Sequence, residues 1–290
     1  MFPFGAGPLT GLMTENTRNE TVLVTGASGK TGRQVAESAK AAGFDVRAAS
    51  RSSEVRFDWY DSSTWAQALR GADAAYLAYT PDIGAPGAGE NIAALARLAQ
   101  ELGVRRLVML SARGERQAEP AERALRESGA QWTVVQADWF FQNFSEGLLL
   151  EGVRSGEFVF PAGEVEVPFI DTRDLADVVV KALTDSSYAG RTLEITGARL
   201  LTFREAMAEI SAAAGRDIRY LPVPTKEYGA ILAGFGLPAE EVAFMEEVFD
   251  GLLDGGNARS TETVRQVLGR APRDFTDFAR ELAATGVWKV

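Results

Sequence analysis

Three features of the chain predict an α/β fold, a doubly wound parallel sheet that carries a smaller, mostly helical C-terminal region. Apolar strand-like runs alternate with amphipathic helical segments from residue 21 to residue 136, the first strand breaks directly into glycines, and further glycines stand where successive helices should end. Such alternation demands crossover connections, and therefore parallel strands covered by helices on both faces.

The first strand is Thr21–Thr25, followed by Gly26, Gly29 and Gly32; Lys30–Ala42 has the period of an amphipathic helix, and Gly43 stops it. Strands are then expected at Asp45–Ser50, Val55–Phe57, Ala74–Ala78, Arg105–Leu110 and Trp132–Gln136. Helices are expected between them at Ser63–Leu69, Ala88–Leu102 and Ala118–Ser128. Gly43, Gly71, Gly103 and Gly129 each fall at a helix end, where a residue without a side chain closes the last turn. After Gln136 the pattern changes to a helix at Phe140–Leu150, short strands near Phe158–Phe160 and Val165–Ile170, a helix at Asp174–Leu183 and a strand at Leu193–Thr196. Helices at Thr202–Ala214, Thr225–Ala233, Pro238–Leu253 and Arg273–Ala284 complete the chain. The organisation expected is an extended tail over 1–20, in which Met13 is a second candidate start, and a Rossmann-like nucleotide-binding core over 21–150 with returning segments from 165–196. A mainly substrate-binding region over 151–290 would cap the carboxyl ends of the strands, where ligands of open α/β sheets bind.

The glycine run gives this fold a chemistry. Gly26 permits the tight turn out of the strand, Gly29 lets backbone N–H groups approach a pyrophosphate, and Gly32 lets the helix pack closely on the sheet. A diphosphate then meets unpaired N–H groups and the positive end of a helix dipole. The spacing G-x-x-G-x-x-G points toward extended and atypical short-chain dehydrogenases rather than the G-x-G-x-x-G type. An NAD site usually carries an acid at the end of the second strand, but here the strand ends Ala48-Ala-Ser-Arg51. Arg51 can meet a 2′-phosphate, with Ser50 and Ser52 as further donors, so the expected cofactor is NADP(H). Arg51 as a solvated surface residue, and Arg47 as the exposed member of the strand, remain alternatives. Lys30 either leans over the phosphates or is solvated at the helix start. Asp58 can accept from an adenine amino group, with Trp59 packing nearby.

Composition prunes the rest. The 290 residues hold neither cysteine nor histidine. Disulfides, thiolate nucleophiles, imidazole bases and His- or Cys-ligated metals are excluded, and no acidic calcium-type loop is present, so no metal is expected. A formal net charge of −10 argues against a nucleic-acid partner. No run approaches the roughly 18 to 20 apolar residues of a membrane span and no signal-peptide pattern opens the chain, so a cytoplasmic protein without a membrane partner is expected.

Several segments resemble the NmrA-like, atypical short-chain dehydrogenase/reductase family: Thr25-Gly-Ala-Ser-Gly-Lys-Thr-Gly32, Val46-Arg-Ala-Ala-Ser-Arg51, Val108-Met-Leu-Ser111, Trp139-Phe-Phe-Gln-Asn-Phe144 and Val167-Pro-Phe-Ile-Asp-Thr-Arg-Asp174. Phe57-Asp-Trp59, Asn143-Phe-Ser145 and Gly269-Arg-Ala-Pro-Arg-Asp-Phe275 are most similar to its ergot-alkaloid-type branch, which includes festuclavine and agroclavine dehydrogenases. The resemblance implies an NADP-binding domain with a small C-terminal substrate domain. It places Gly26, Ser28, Gly29, Lys30, Thr31 and Gly32 on the diphosphate, Arg51 on the 2′-phosphate, and Asp58 and Trp59 beside adenine. It also places Ala78, Tyr79 and Thr80 along the ribose and nicotinamide, with Ser111 approaching the nicotinamide. Ordinary short-chain dehydrogenases use a Tyr-x-x-x-Lys pair; here Ala112–Arg126 contains neither residue type.

Without that pair, hydride transfer suits a substrate that is already electron-poor: an iminium, enone or quinone-like molecule, oriented and shielded from water. Ser111 and Tyr79 are the candidates to meet a developing oxyanion. Trp139, Phe140, Asn143 and Phe144, with Tyr79 and Phe169, would wall a pocket for an aromatic or polycyclic small molecule. The same aromatic residues could instead form hydrophobic core. Asp171 and Asp174 are expected to order a loop and cap the following helix. A non-catalytic NADP(H)-sensing regulator is the competing reading from another class, and an isomerase or epimerase with bound cofactor a third.

Overall fold

The computed structural model describes residues 19–289. The expected tail falls outside them, apart from Asn19 and Glu20. The first half contains β1 (Thr21–Thr25), α1 (Lys30–Ala41), β2 (Asp45–Ser50), β3 (Val55–Arg56), α2 (Trp65–Leu69), β4 (Ala74–Leu77), α3 (Ala88–Glu101), β5 (Arg106–Ala112), α4 (Glu119–Arg126) and β6 (Gln131–Ala137). The second half contains α5 (Leu148–Ser155), β7 (Glu157–Phe160), β8 (Glu166–Val167), α6 (Thr172–Thr184), β9 (Arg191–Ile195) and β10 (Leu201–Thr202). After these come α7 (Phe203–Ala214), β11 (Arg219–Pro222), α8 (Thr225–Gly234), α9 (Ala239–Leu252), α10 (Thr263–Leu268) and α11 (Phe275–Thr285).

Seven strands form one sheet in the order β3-β2-β1-β4-β5-β6-β9, with every neighbouring pair parallel. The order reverses between β1 and β4, which opens a crevice at the carboxyl ends of those strands. Alternate residues of each strand serve opposite faces. Leu23, Leu107 and Met109 pack with α2, α3 and α4, whereas Val22, Val24 and Val108 pack with α1, α6 and α10. Both faces are covered, as the near-continuous apolar runs of β1 and β4 require.

The C-terminal region has its own core, built from phenylalanines. Phe141, Phe144, Phe158, Phe160, Phe203, Phe275 and Phe278 are all buried there with Trp288. Two short ribbons frame it, β7 with β11 in parallel and β8 with β10 antiparallel.

Several local expectations need correction. The helix expected at Phe140–Leu150 is a 3₁₀ turn at Phe141–Phe144 followed by α5, because Gly147 adopts φ 78° and breaks the run between them. The strand expected at Val165–Ile170 pairs only over Glu166–Val167, with Ile170 making a single bridge to Phe140. Helix α6 begins earlier than expected, since Asp171 caps it by accepting from the Arg173 amide. β11 and α10 were not anticipated: four residues and six carry too little periodicity to register. Among the described residues no helix is long and apolar enough to cross a membrane, and no cluster of acidic side chains is arranged to hold a metal.

Candidate functional site

At the crevice, Gly26 takes φ 61°, a left-handed conformation that glycine adopts without penalty. The Gly29 amide closes the turn on the Gly26 carbonyl at 2.8 Å. A Cβ at Gly32 would lie 2.2 Å from that same carbonyl oxygen and 2.6 Å from its carbon, so α1 packs on the loop at a distance only glycine allows. Ser28 and Gly29 are exposed on the outer side of this cradle, while Thr31 is buried behind it.

Lys30 is neither free nor fully solvated. Its ammonium donates to Asn143 Oδ1, and burial holds its pKa below the ordinary lysine value. One turn further on, Arg33 pairs with Glu146 at 3.0 Å. Two contacts thus bind the first turns of α1 to the segment following the 3₁₀ turn, across 113 residues of sequence.

Arg51 is exposed and, among the described residues, makes no ion pair or side-chain hydrogen bond, whereas Arg47 donates to the Ala68 and Arg70 carbonyls at 2.7 Å each. Ser50 and Ser53 hydroxyls bond at 2.6 Å and order the loop beneath Arg51. Asp58 accepts from the Tyr60 amide at 3.0 Å and keeps partial exposure. Trp59 does not flank an open pocket: it is 4% exposed, its indole donates to the Ala78 carbonyl at 2.8 Å, and its ring meets Tyr79 at 4.7 Å and Phe57 at 5.0 Å. It braces the end of β4 from behind.

Tyr79 is buried except for its edge, and its hydroxyl accepts from Asn91 at 2.8 Å; burial raises its pKa. Ala78 is likewise nearly enclosed, and Thr80 is exposed. Ser111 continues the Leu107 and Met109 parity of β5, so it faces α4. Its hydroxyl donates to Glu122 Oε1 at 2.5 Å, and that carboxylate also accepts from Gln136 at 2.7 Å and pairs with Arg126. With its hydroxyl hydrogen donated to the Glu122 oxygen, Ser111 presents lone pairs to anything above it.

The aromatic run divides. Trp139 and Phe140 are half-buried, while Phe144 and Phe169 are 0% and 2% exposed. Phe144 sits among Phe158, Phe169, Phe203 and Phe275 at 5.5 to 5.9 Å, so Phe144 and Phe169 are interior packing rather than pocket wall. Of the run's aromatic residues only Trp139 and Phe140 keep partial exposure.

Sequence reasoning missed one structural lock. Arg113, 3% exposed, bonds Asp138 at 3.0 Å, Glu194 at 3.1 Å and the Asn257 carbonyl at 2.9 Å, while Asn257 donates back to the Arg113 carbonyl. It ties the ends of β5, β6 and β9 to the segment crossing above them. Burial outweighs the nearby Arg113 charge at Asp138, whose pKa is pushed up to about 6. Nothing in the local sequence distinguishes Arg113 from the chain's surface arginines.

A seven-stranded parallel sheet, a glycine cradle at its switch point and a helical cap over its strand ends define a Rossmann-like α/β protein. The chain belongs to the NmrA-like family, whose model matches residues 18–278. It is similar to the NAD(P)H azoreductase of Xenophilus azovorans, with 31% identity over 91% of this chain and 98% of the relative. The agroclavine dehydrogenase of Claviceps fusiformis is 28% identical over 90% of this chain and 96% of the relative. In fold it matches the NADPH-dependent quinone oxidoreductase of Escherichia coli solved with NADPH, at TM-score 0.74 to 0.75 and 18 to 19% identity, over 90% of this chain and 99% of that one.

Proposed function

We propose that the protein is an NADPH-dependent reductase of electron-poor small molecules. The observation that carries this reading is the pairing, along one crevice, of the Gly26–Gly32 cradle with an unpaired Arg51 at the end of β2. The cradle is shaped for a diphosphate and Arg51 for a phosphate on the adenosine ribose. Asp58 lies on the same side for the adenine amino group. NADPH, when bound, supplies the hydride.

The chain's own groups then position the reactants. Gly26, Ser28, Gly29, Thr31 and Gly32 hold the diphosphate with backbone and hydroxyl donors, and Lys30, already held at the rim by Asn143, adds its charge. Ala78, Tyr79 and Thr80 line the next stretch. Ser111, its proton committed to Glu122, accepts from a carboxamide N–H. Trp139 and Phe140 supply flat apolar surface for an aromatic or polycyclic acceptor and keep water from it. The absence of Tyr and Lys from Ala112–Arg126 supports acceptors that carry their own electrophilicity, and the names of the relatives, an azoreductase and an agroclavine dehydrogenase, support the same chemistry and an affinity with the ergot-alkaloid-type branch.

The test is NADPH oxidation by the purified protein against a naphthoquinone, a cyclic enone, a cyclic iminium salt and crystal violet. Turnover with at least one class, and preference for NADPH over NADH, is expected. Tight and redox-selective nucleotide binding with no turnover on any acceptor would sink the reductase reading in favour of a nucleotide sensor.

A further inference from the structure

Glu115 stands three residues beyond β5, where the chain turns at Gly114 with φ 80°. The turn sends Arg113 toward β6 and β9 and Glu115 the other way, against the connection that follows β4. A Cβ at Gly84 would lie 2.1 Å from Glu115 Oε1, so the carboxyl in this position packs directly on the Gly84 backbone. Glu115 is 8% exposed and lies on the wall of a cavity of about 410 Å³ at the ends of β5 and β6, shared with Gly114, Arg116, Glu119, Glu122 and Gln136. The nicotinamide half of a dinucleotide seated on the glycine cradle, with its adenosine toward Arg51, must extend toward these strand ends.

The neighbouring buried carboxylates all have partners: Glu122 has Ser111, Gln136 and Arg126, and Asp138 has Arg113. Glu115 Oε1 is buried without a hydrogen-bond partner among the described residues. The side-chain hydrogen bond Glu115 does make is to another carboxyl, Asp82; two carboxyls placed together with one oxygen left over cost stability, which argues for a use other than structure. Burial above all, then Asp82 from the connection after β4 and Glu122 from α4, push its pKa up to about 9, with Arg116 and Glu119 the other charged groups on the cavity wall. At neutral pH the Glu115–Asp82 pair therefore holds a proton, on the Glu115 side.

We propose that Glu115 is the acid of the reaction, protonating the oxygen of a conjugated carbonyl acceptor as hydride arrives. This rests on the reductase reading above and narrows its substrate class to acceptors that must gain a proton as well as a hydride. Hydride from NADPH adds to the electron-poor carbon, the π electrons move onto the carbonyl oxygen, and the Glu115 O–H bond breaks to place its proton there. The products are the enol, NADP⁺ and a Glu115 carboxylate, which water then reprotonates beside Asp82.

Glu115→Gln keeps the shape and removes the acid. A naphthoquinone needs hydride and proton, whereas crystal violet, a carbocation, needs hydride alone. The ratio of their kcat values should fall about 100-fold in Glu115→Gln, within the usual range for a lost general acid, with NADPH affinity unchanged. Independently of turnover, the infrared C=O band of a protonated carboxyl should be present in the wild type near pH 8, far above the ordinary glutamate pKa of about 4.3, and absent from the variant. Should Glu115→Gln fail to fold, Asp82→Asn removes the charge that helps hold the proton, and the alkaline limb of the quinone rate should move down by about one pH unit. An unchanged kcat ratio, a missing band, or an unmoved alkaline limb overturns the assignment while leaving the reductase standing. No wild-type turnover on any of the four acceptors overturns the reductase reading and this assignment with it, whereas turnover of the iminium or crystal violet but of neither the quinone nor the enone overturns this assignment alone.

Discussion

Single residues in this crevice are held to different tolerances, and the distances rank them. Gly32→Ala drives a methyl group to 2.2 Å from backbone that cannot step aside, whereas at Gly29 the nearest atom is 3.2 Å away. Gly32→Ala should therefore cost on the order of 1 to 3 kcal/mol of stability and abolish measurable nucleotide binding, with Gly29→Ala much milder in both thermal unfolding and titration calorimetry. Arg51 is exposed, so its loss should leave stability alone. Arg51→Ala should weaken NADPH about 10- to 100-fold, the scale of a charge-assisted hydrogen bond, and leave NADH unchanged; equal affinities of the wild type for the two nucleotides would remove the basis for a 2′-phosphate contact. The tight turn at Gly26, the close approach at Gly32 and the exposure of Arg51 were legible in the sequence because they follow from backbone geometry and position along a strand. Trp59, Phe144 and Phe169 were not, since an aromatic residue reads identically whether its neighbours expose it or enclose it.

At the scale of elements, the informative junction is between α1 and the residues after the 3₁₀ turn. Lys30 and Arg33, one turn apart on α1, reach Asn143 and Glu146 respectively. Removal of the acceptor in Asn143→Ala leaves a half-buried ammonium without its partner. The nucleotide-free protein should lose about 1 kcal/mol, and bound NADPH, whose phosphates offer Lys30 a new acceptor, should recover most of the loss in thermal unfolding. Pattern reading recovered every strand of the large sheet, most plainly the apolar runs of β1, β4 and β5. Between Phe140 and Ile170 it found β7 but missed the break where Gly147 interrupts an otherwise helical pattern, and it overran β8, which is only two residues long. There the phenylalanine core chooses the conformation, and a core assembled from distant segments leaves no local period.

The whole molecule carries buried carboxyls whose proton affinity differs from that of the unfolded chain. Asp138 and Glu115 are raised to about 6 and about 9, so the stability they contribute is complete below the unfolded carboxyl pKa and is lost as pH rises through those values. Asp274 is opposite: Arg199 holds it down at about 2, so its contribution fades only in strong acid. The melting temperature should accordingly fall by on the order of 10 °C between pH 6 and pH 9, given about 1.4 kcal/mol per pKa unit and roughly 2 to 4 °C per kcal/mol. Glu115→Gln should flatten most of that slope when followed by circular dichroism, and a wild-type melting temperature that climbs over the same interval would contradict the raised values. Long-range closure has a further consequence, for biosynthesis. Helix α6 lies on α1, with Ser38 bonded to Asp177 across 139 residues, and Trp288 donates to the Phe144 carbonyl near the last residue described. A ribosome adding about 5 to 20 residues per second exposes the apolar flank of α1 for roughly 10 to 30 s before its cover emerges, so a nascent chain must spend that interval under chaperone guard or in provisional contacts it later surrenders.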